Sequence, residues 1–345
     1  MNPTYKLFLE VLEKHNVNEI SNLLDVNKNT IRRWQLLKSV PKNYQFDLMD
    51  LLGVEIDYSK FDVKDKDQFF TKKTTADKCI EILKNKLVDL GIDESEYSYI
   101  EPSAGDGSFL MSLPKDRRIG LDIEPKNNEI IKGNFLKWYP KEGKFITIGN
   151  PPFGLRGNLA LRFINHSSQF SDFTAFILPQ IFESKGKGNC MDRVTNMNLI
   201  QSQKIDSDFY FPNGKDVTVS AIFQIWSKHH KVDISQPSTS EYIKIYSVSD
   251  GGSPSTTRNR DMWYNCDYYL PTTCFEDKMK IYQNFDDLPQ RRGYGIVILN
   301  EKEKISQILQ TTKWKDYSFI STNGAHNLRF DLIEKSLIDK NIFNK

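Results

Sequence analysis

Residues Asn150-Pro151-Pro152-Phe153 combine side chains that can hold a flat ring bearing an amino group. The asparagine offers a carbonyl oxygen as a hydrogen-bond acceptor. Pro151 has no N–H, but its backbone carbonyl is a second acceptor. Two acceptors aimed at one amino group would draw the nitrogen lone pair out of the ring's conjugation, while Phe153 provides a face for stacking. The alternative is that the two prolines only end a strand, since Pro-Pro cannot continue a sheet ladder.

Two predicted strands position this tetrapeptide and a glycine-rich turn. The apolar segment 145–149 leads directly into the tetrapeptide, and the segment 97–100 leads into the turn at 101–109. Within that turn, Gly105 and Gly107 let the backbone bend sharply and approach a ligand without Cβ clashes. A strand, a glycine-rich turn and a helix together form a nucleotide-cofactor site.

The acid at the start of the turn indicates which ligand the turn suits. The spacing is not GxGxxG, and Glu101 precedes both glycines. A carboxylate there would repel a pyrophosphate and attract a cationic amino group. The run Phe109-Leu110-Met111 is predicted to open the helix that follows the turn.

The tetrapeptide and the turn resemble the motifs of S-adenosylmethionine-dependent amino-group methyltransferases. The order of cofactor-closing segment (68–76), cofactor turn, tetrapeptide and long C-terminal region is similar to that of the gamma group of adenine-N6 DNA methyltransferases, of the restriction-modification type. The resemblance covers roughly residues 65–230. It implies an α/β, Rossmann-like class I methyltransferase fold with a mostly parallel sheet. Related enzymes that act on RNA or on protein glutamine also carry NPPF or NPPY.

The same resemblance implies roles around a bound S-adenosylmethionine. Asp122, with Glu124 as its competitor, would take the ribose hydroxyl pair. Asn134 stands where many relatives have Asp and would bond an adenine edge; Phe135 would pack on the adenine face or be an ordinary core residue. The predicted cofactor site comprises Phe70, Thr71, Glu101, Ser103, Gly105, Gly107, Asp122, Asn134 and Phe135.

The resemblance also makes the tetrapeptide catalytic, with Asn150, Pro151, Pro152 and Phe153 as its members. A flipped base would stack between Phe153 and an aromatic residue near the predicted strand at 217–226. Phe211 is the first choice for that partner and Tyr210 the second. The alternative is that these aromatic residues fill the core beside a hairpin.

Residues 1–56 predict a separate helical module. A helix at 17–24, a turn at 25–27 and a helix at 28–37 form a helix-turn-helix pattern, and residues 26–43 contain no acid. The predicted DNA contacts on the second helix are Lys28, Arg32, Arg33 and Trp34. The alternative is a helical hairpin that only packs on the catalytic domain. Residues 57–67, rich in charge, are the predicted linker.

Residues 68–230 form the predicted catalytic core, and residues 231–345 the predicted target-recognition region. Arginine side chains can read guanine edges, and neighbouring aromatic rings can stack on opened bases. The predicted DNA contacts in this region are Arg258, Arg260, Arg291 and Arg292. Ordinary exposed arginines in surface loops are the alternative.

Composition limits the function classes. The 345 residues suffice for a catalytic domain with one or two small modules, and a net charge of +2 means that nucleic-acid affinity must come from local basic patches. The four cysteines form no CxxC pair and lie near no histidine cluster, so neither a metal site nor disulfides are predicted and a cytoplasmic location is expected. No apolar stretch has membrane-spanning length, and the N-terminus lacks a signal-peptide pattern.

The resulting hypothesis is a site-specific DNA methyltransferase that moves a methyl group from S-adenosylmethionine to adenine N6 in duplex DNA by base flipping. Its expected partners are double-stranded DNA and a cognate restriction endonuclease, with no membrane; the subunit number is left open between monomer and dimer. The alternatives are an RNA or protein-glutamine methyltransferase, and a DNA-binding regulator with an inactive methyltransferase core.

Overall fold

The structure is a computed structural model that describes residues 2–62, 66, 69–183, 189–205, 208–218, 220–233, 237–254, 256–275, 278–320 and 325–343. Parts of two predicted segments, residues 63–65 and 67 of the linker and residue 68 of the cofactor-closing segment, lie outside these ranges. The chain divides into two compact units, one holding Met1–Phe182 and Cys190–Val232, the other holding the described residues of Glu183–Asn189 and the chain from Asp233 onward. No helix in the described part is long and apolar enough to cross a membrane.

Four helices form the N-terminal module within the first unit. They are α1 (Pro3–Lys14), α2 (Val17–Leu23), α3 (Lys28–Leu37) and α4 (Gln45–Leu51). Each buries one apolar stripe, and the stripes share a small core of their own. Asn16 and Asn27 cap α2 and α3, which begin and end within one residue of the helices predicted there.

Ten strands and two helices follow in the same unit. In chain order they are β1 (Phe70–Thr71), α5 (Lys73–Asp89), β2 (Ser98–Glu101), β3 (Arg118–Asp122), β4 (Ile130–Lys132), β5 (Phe145–Gly149), α6 (Asn158–Ser167), β6 (Phe173–Pro179), β7 (Asn198–Ile205), β8 (Asp208–Tyr210), β9 (Asp216–Thr218) and β10 (Ala221–Ser227).

Seven of these strands form one sheet in the order β4-β3-β2-β5-β6-β10-β7. The first five are parallel neighbours, while β10 runs antiparallel to both β6 and β7. Strand order reverses between β2 and β5, and the carboxyl ends at such a switch point form the ligand crevice of open α/β sheets. The predicted α/β fold with a mostly parallel sheet is confirmed.

Two local predictions in this unit are wrong. The run after the glycine-rich turn forms only a short 3₁₀ turn, Leu110–Ser112, because Pro114 follows too closely for a helix to develop. The single strand predicted at 217–226 is two strands. Its first part, β9, joins β8 and β1 in a separate three-stranded sheet, while β10 belongs to the main sheet.

The second unit has its own apolar core. Its elements are β11 (Ile243–Ser249), β12 (Tyr268–Pro271), β13 (Thr273–Cys274), β14 (Arg292–Ile298), α7 (Lys302–Thr311), β15 (Phe319–Ile320), β16 (His326–Asn327) and α8 (Phe330–Asp339). β11, β14 and β12 form one antiparallel sheet, and β13, β16 and β15 form another.

Candidate functional site

The two sequence motifs meet at one edge of the main sheet. β2 and β5 are neighbouring parallel strands, so their carboxyl ends bring Glu101 and Asn150 together. The strands approach so closely that a Cβ on Gly149 would lie 3.3 Å from Glu101 Cγ. Ser103 Oγ donates to the backbone carbonyl of Asn150 at 3.0 Å and ties the turn to the tetrapeptide.

The ring of Phe70 lies against the backbone of the glycine-rich turn. Gly105 has φ +52° and Gly107 has φ +94°, conformations that other residues rarely adopt. A Cβ on Gly105 would lie only 2.8 Å from Phe70 Cε1. Backbone conformation and close approach therefore both require glycine at position 105.

Glu101 is the most deeply buried acid at this edge, with 2% of its surface exposed. Its Oε2 accepts a hydrogen bond from the N–H of Leu110 at 2.7 Å. Burial raises the pKa of Glu101 well above its usual range, the Leu110 N–H opposes that rise, and the carboxylates of Asp106 and Asp122 add to it. Three carboxyl groups so close together favour a positively charged ligand.

Asn150 carries a buried acceptor that no donor among the described residues satisfies. Its Nδ2 donates to Thr71 Oγ1 at 3.1 Å, and Thr71 is itself buried. The other amide atom, Oδ1, is buried and has no hydrogen-bond partner among the described residues. A buried acceptor left in this way costs about 1–3 kcal/mol, so a ligand N–H placed there would regain that free energy.

A cleft at this edge joins the two motifs to the chain that precedes α5. Its lining comprises Phe69, Phe70, Thr71, Glu101, Ser103, Ala104, Gly105, Asp106, Ser108, Phe109 and Asn150. Sequence reasoning missed Asp106, although its position between the two glycines was a usable signal. The Tyr210 hydroxyl donates to the Asp106 carboxylate, and burial, with that hydrogen bond, raises the pKa of Tyr210 to about 12.

The ring of Phe69, which the sequence analysis did not single out, lies beside Phe153, while the stacking of a flipped base on Phe211 stays a prediction. The Phe69 and Phe153 centroids are 5.4 Å apart, edge to face, and Phe69 also contacts Phe209 at 5.3 Å. Phe211 lies beyond the end of β8, where its N–H donates to the carbonyl of Lys215 and closes a turn. Since pairing of β8 with β1 sets which rings face the core, the sequence did not reveal this arrangement. Pro151 is buried and Pro152 half-buried beside them.

Three residues predicted around the cofactor's nucleoside are engaged within the protein. Asp122 accepts two backbone N–H groups at 2.7 and 2.8 Å, which leaves lone pairs on both oxygens. Asn134 Oδ1 caps the following turn by accepting a backbone N–H at 3.0 Å. Phe135 is 1% exposed and packs against Phe163 and His166, with centroids 5.1 and 4.9 Å away. Phe135 is therefore a core residue that does not line the cleft.

Helix α3 exposes three of its four predicted DNA-contact residues: Lys28, Arg32 and Arg33. The prediction for Trp34 is wrong. Trp34 is 5% exposed and meets Phe8 edge to face at 5.7 Å. It lies three residues after Ile31 on the apolar stripe of the helix, and so it faces the core of the module.

In the second unit, Arg291 is engaged by its own neighbours but keeps 39% of its side chain exposed, so the DNA contact predicted there stays a prediction. Its guanidinium pairs with Asp250 at 3.0 Å and with Asp286, and lies 5.0 Å from the centre of the Phe285 ring. The other three predicted contacts keep exposed side chains: Arg258, Arg260 and Arg292. Arg258 and Arg292 both pair with Ser249 across the sheet, which puts them on one face.

The strand order of the main sheet, with one antiparallel strand next to the last, is that of class I methyltransferases. The cleft lies where that fold binds its ligands. No protein-family model matches the chain. The type II methyltransferase M.CvrRI of Paramecium bursaria Chlorella virus XZ-6E is 32% identical over 111 residues, which cover 28% of this chain and 27% of that protein. The chain thus matches just over a quarter of the length of this curated relative.

Two solved structures align with about half of the chain. A "putative RNA methyltransferase" from Pyrococcus horikoshii has a TM-score of 0.35 at 15% identity and covers 47% of this chain and 87% of its own. "Putative methyltransferase yhhF" from Escherichia coli has a TM-score of 0.29 at 13% identity and covers 47% and 91%. The fold assignment rests on the strand order of this chain itself.

Proposed function

We propose that this protein is a methyltransferase that moves a methyl group from S-adenosylmethionine to the N6 amino group of adenine in duplex DNA. The observation that carries the proposal is the buried Oδ1 of Asn150 at the ligand edge of the sheet, which has no hydrogen-bond partner in the part of the chain that the structure describes. Its neighbours at that edge are acids suited to a cation. The 32% identity to a type II methyltransferase supports the same reaction class.

The cleft residues fit S-adenosylmethionine, which carries an ammonium and a sulfonium cation. Glu101 and Asp106 supply negative charge, and the Gly105 backbone leaves room for close approach. Phe70 covers that backbone and Thr71 holds Asn150. When bound, the cofactor supplies an electrophilic methyl group. The protein residues hold its charged end and keep Asn150 in one orientation.

Asn150 acts on the amino group of the target base. Its Oδ1 would accept one amino hydrogen and the Pro151 carbonyl the other, which would expose the nitrogen lone pair toward the methyl group that the cofactor supplies. The S–C bond of the sulfonium would break as the N–C bond forms, S-adenosylhomocysteine would be the leaving group, and the released amino proton would pass to solvent. Phe153 stacks on the base. The tetrapeptide has no ionisable side chain, so catalysis relies on positioning and not on a general base. The amino group is inaccessible in a stacked pair, so the base flips out at a cost of a few kcal/mol.

The remaining parts of the chain support DNA as the substrate. The exposed basic face of α3 suits a duplex, and the exposed arginines after residue 231 suit a target-recognition region. Under this proposal the protein is the modification enzyme of a restriction-modification system, with a cognate nuclease as its partner.

The test is transfer of labelled methyl groups to unmethylated duplex DNA, structured RNA and protein, followed by nucleoside and amino-acid analysis. N6-methyladenine formed by the wild type and not by Asn150→Ala is the expected result. Label found only in RNA or protein would contradict DNA as the substrate and would still support methyl transfer as the reaction. DNA binding without any transfer would identify a regulator with an inactive core.

A further inference from the structure

The N-terminal module is fastened to the catalytic core at the start of α6. Asn158 Nδ2 donates to the carbonyl of Leu24 at 3.0 Å, and Asn158 is 8% exposed. Arg193 Nη2 lies 2.7 Å from the carbonyl of Asp25, 3.1 Å from its carboxylate and 3.0 Å from Asn158 Oδ1. These contacts grip the turn between α2 and α3, where Asp25 has φ +48°.

A second contact holds the other side of the module. Arg162 on α6 pairs with Asp47 on α4 at 2.5 Å, with both side chains about four-fifths buried. Lys137 pairs with Asp50 at 2.5 Å nearer the surface. Two separate contacts on one rigid helix fix both the position and the rotation of the module on the core.

The same helix, α6, is bonded to the catalytic tetrapeptide. The N–H of Ala160 donates to the carbonyl of Phe153 at 3.3 Å. The intervening loop is constrained by Gly154, Arg156 and Gly157, all with positive φ. From Phe153 to the α2–α3 turn, the connection is therefore one continuous series of hydrogen bonds within a single compact unit.

Helix α3 begins four residues after Leu24, so its distance from the tetrapeptide has an upper limit. Extended chain lengths of at most 3.6 Å per residue place Lys28 within about 40 Å of Phe153, a span of about twelve base pairs. Lys28, Arg32 and Arg33 are exposed, and no described acid pairs with them within 4 Å. Leu36, 82% exposed, adds an apolar contact suited to a thymine methyl group.

We infer that α3 grips the same duplex that the cleft methylates, flanking the target base, and that Arg193 is a positioning residue that holds α3 in register with the tetrapeptide. The inference rests on the proposed function. It places the basic helix on the substrate and not on a separate promoter sequence. A freely hinged module could bind DNA far from the target base, whereas a module held to the segment that follows the tetrapeptide binds DNA next to the target base.

The experiment measures methyl transfer to one duplex of about 40 base pairs, long enough to extend past α3 on either side of a single target site. The site is first identified from methylated positions in plasmid DNA. Arg32→Glu/Arg33→Glu is expected to raise KM about tenfold or more and to reduce the salt dependence of KM by about two phosphate contacts. The control, Lys6→Glu/Lys14→Glu on α1, makes the same charge change on a helix that packs against the buried face of α3 through Phe8 and is expected to change neither.

Arg193→Gln tests the coupling. Like the α3 variant, it is expected to raise KM and to reduce the salt dependence of KM. Combined with the α3 variant it should have little further effect, because charge reversal changes nothing on a helix that no longer contacts the duplex. A purely structural Arg193 would lower the melting temperature and leave the salt dependence unchanged, which would overturn its positioning role. Asp47→Asn opens the second contact and replaces Arg193→Gln if that variant does not fold.

The outcomes separate the two proposals. Methyl transfer by the wild type, with KM and salt dependence unaffected by the α3 variant, overturns this inference alone. No methyl transfer to DNA by the wild type overturns the proposed function, and the inference falls with it.

Discussion

Two regions of the molecule use similar residues for opposite purposes. One is the cleft at the sheet edge. The other is the Trp263 cluster of the second unit, which comprises Trp263, Phe285, Arg291, Asp250 and Asp286. In the cluster, Trp263 and Phe285 stack at 4.7 Å, and Arg291 lies over both rings between two carboxylates. In the cleft, among the described residues, Asn150 Oδ1 has no hydrogen-bond partner and the buried Glu101 carboxyl has no paired cation.

The difference teaches where to look for function among chemically similar groups. A cluster whose charges are paired with one another stabilises the fold and gains little free energy from binding a ligand. A site that leaves a buried acceptor open loses stability and can regain it only from a ligand. The variants below break or sharpen this contrast.

Asn150→Ala should have the largest effect, because it removes the open acceptor itself. Loss of one preorganised hydrogen-bonding group at a reacting centre costs on the order of 10²–10³ in kcat. Stability should change little, since the lost hydrogen bond from Nδ2 to Thr71 Oγ1 is offset by removal of a buried oxygen that has no partner among the described residues. Labelled methyl transfer checks the rate and calorimetry the stability. Asn198→Ala, which alters an asparagine of the same sheet away from the cleft, should leave the rate intact.

Glu101→Gln should weaken cofactor binding about ten- to hundredfold, the value of one or two charge-assisted hydrogen bonds. Because burial raises the pKa of Glu101, the folded protein binds its proton more tightly than the unfolded chain does. Above the usual Glu pKa, ionising this buried carboxyl therefore lowers the free energy of unfolding, and the loss grows as pH rises toward the pKa that Glu101 has in the folded protein.

Two pH-dependent results follow for this residue. The Gln variant should melt at a higher temperature than the wild type at neutral pH. Wild-type affinity for S-adenosylhomocysteine, measured by titration calorimetry, should rise with pH through the folded pKa, since the cation needs the ionised form. Affinity independent of pH in the wild type would remove Glu101 from the cofactor site.

Gly105→Ala compares strain inside the cleft with strain outside it. A left-handed alanine costs about 1–2 kcal/mol at either position 105 or the matched control, Gly91→Ala. Only at position 105 does the new Cβ meet a ring, Phe70, while nothing lies within 4 Å at position 91. Gly105→Ala should lose more stability than Gly91→Ala, because its Cβ also meets the Phe70 ring, and only Gly105→Ala should lose cofactor affinity. Equal cofactor affinities for the two variants would mean that the Phe70 ring and the Gly105 backbone are not part of the binding site.

Arg291→Ala and Arg292→Ala should give the smallest but most direct contrast between neighbouring arginines. Arg291→Ala should lower the melting temperature of the second unit, because it leaves two carboxylates and the stacked rings without their cation. Arg292, exposed at the start of β14, should be neutral for stability and matter only for DNA affinity. A reversed order in calorimetry would contradict the structural role of Arg291.

The predicted strand at 145–149 matches β5, and the predicted helices at 17–24 and 28–37 match α2 and α3, because hydrophobic periodicity and capping are local properties. Gly105 and Gly107 were recognisable for the same reason, since a sharp turn requires positive φ at fixed positions. Trp34 was misread, and Phe135 was left open between an adenine contact and a core position, because an aromatic side chain at helical or turn spacing looks the same from sequence whether it faces solvent or core.

The sequence by itself determined the order of the elements and the chemistry at the strand ends, from Glu101 through Asn150. Only the tertiary structure decided which polar groups are satisfied and which stay open. Thr71 reaches Asn150 across 79 residues, Phe69 lies beside Phe153 through the pairing of β1 with β8, and Arg193 reaches Asp25 across 168 residues. Such contacts depend on packing between distant segments, and no local pattern in the chain encodes them.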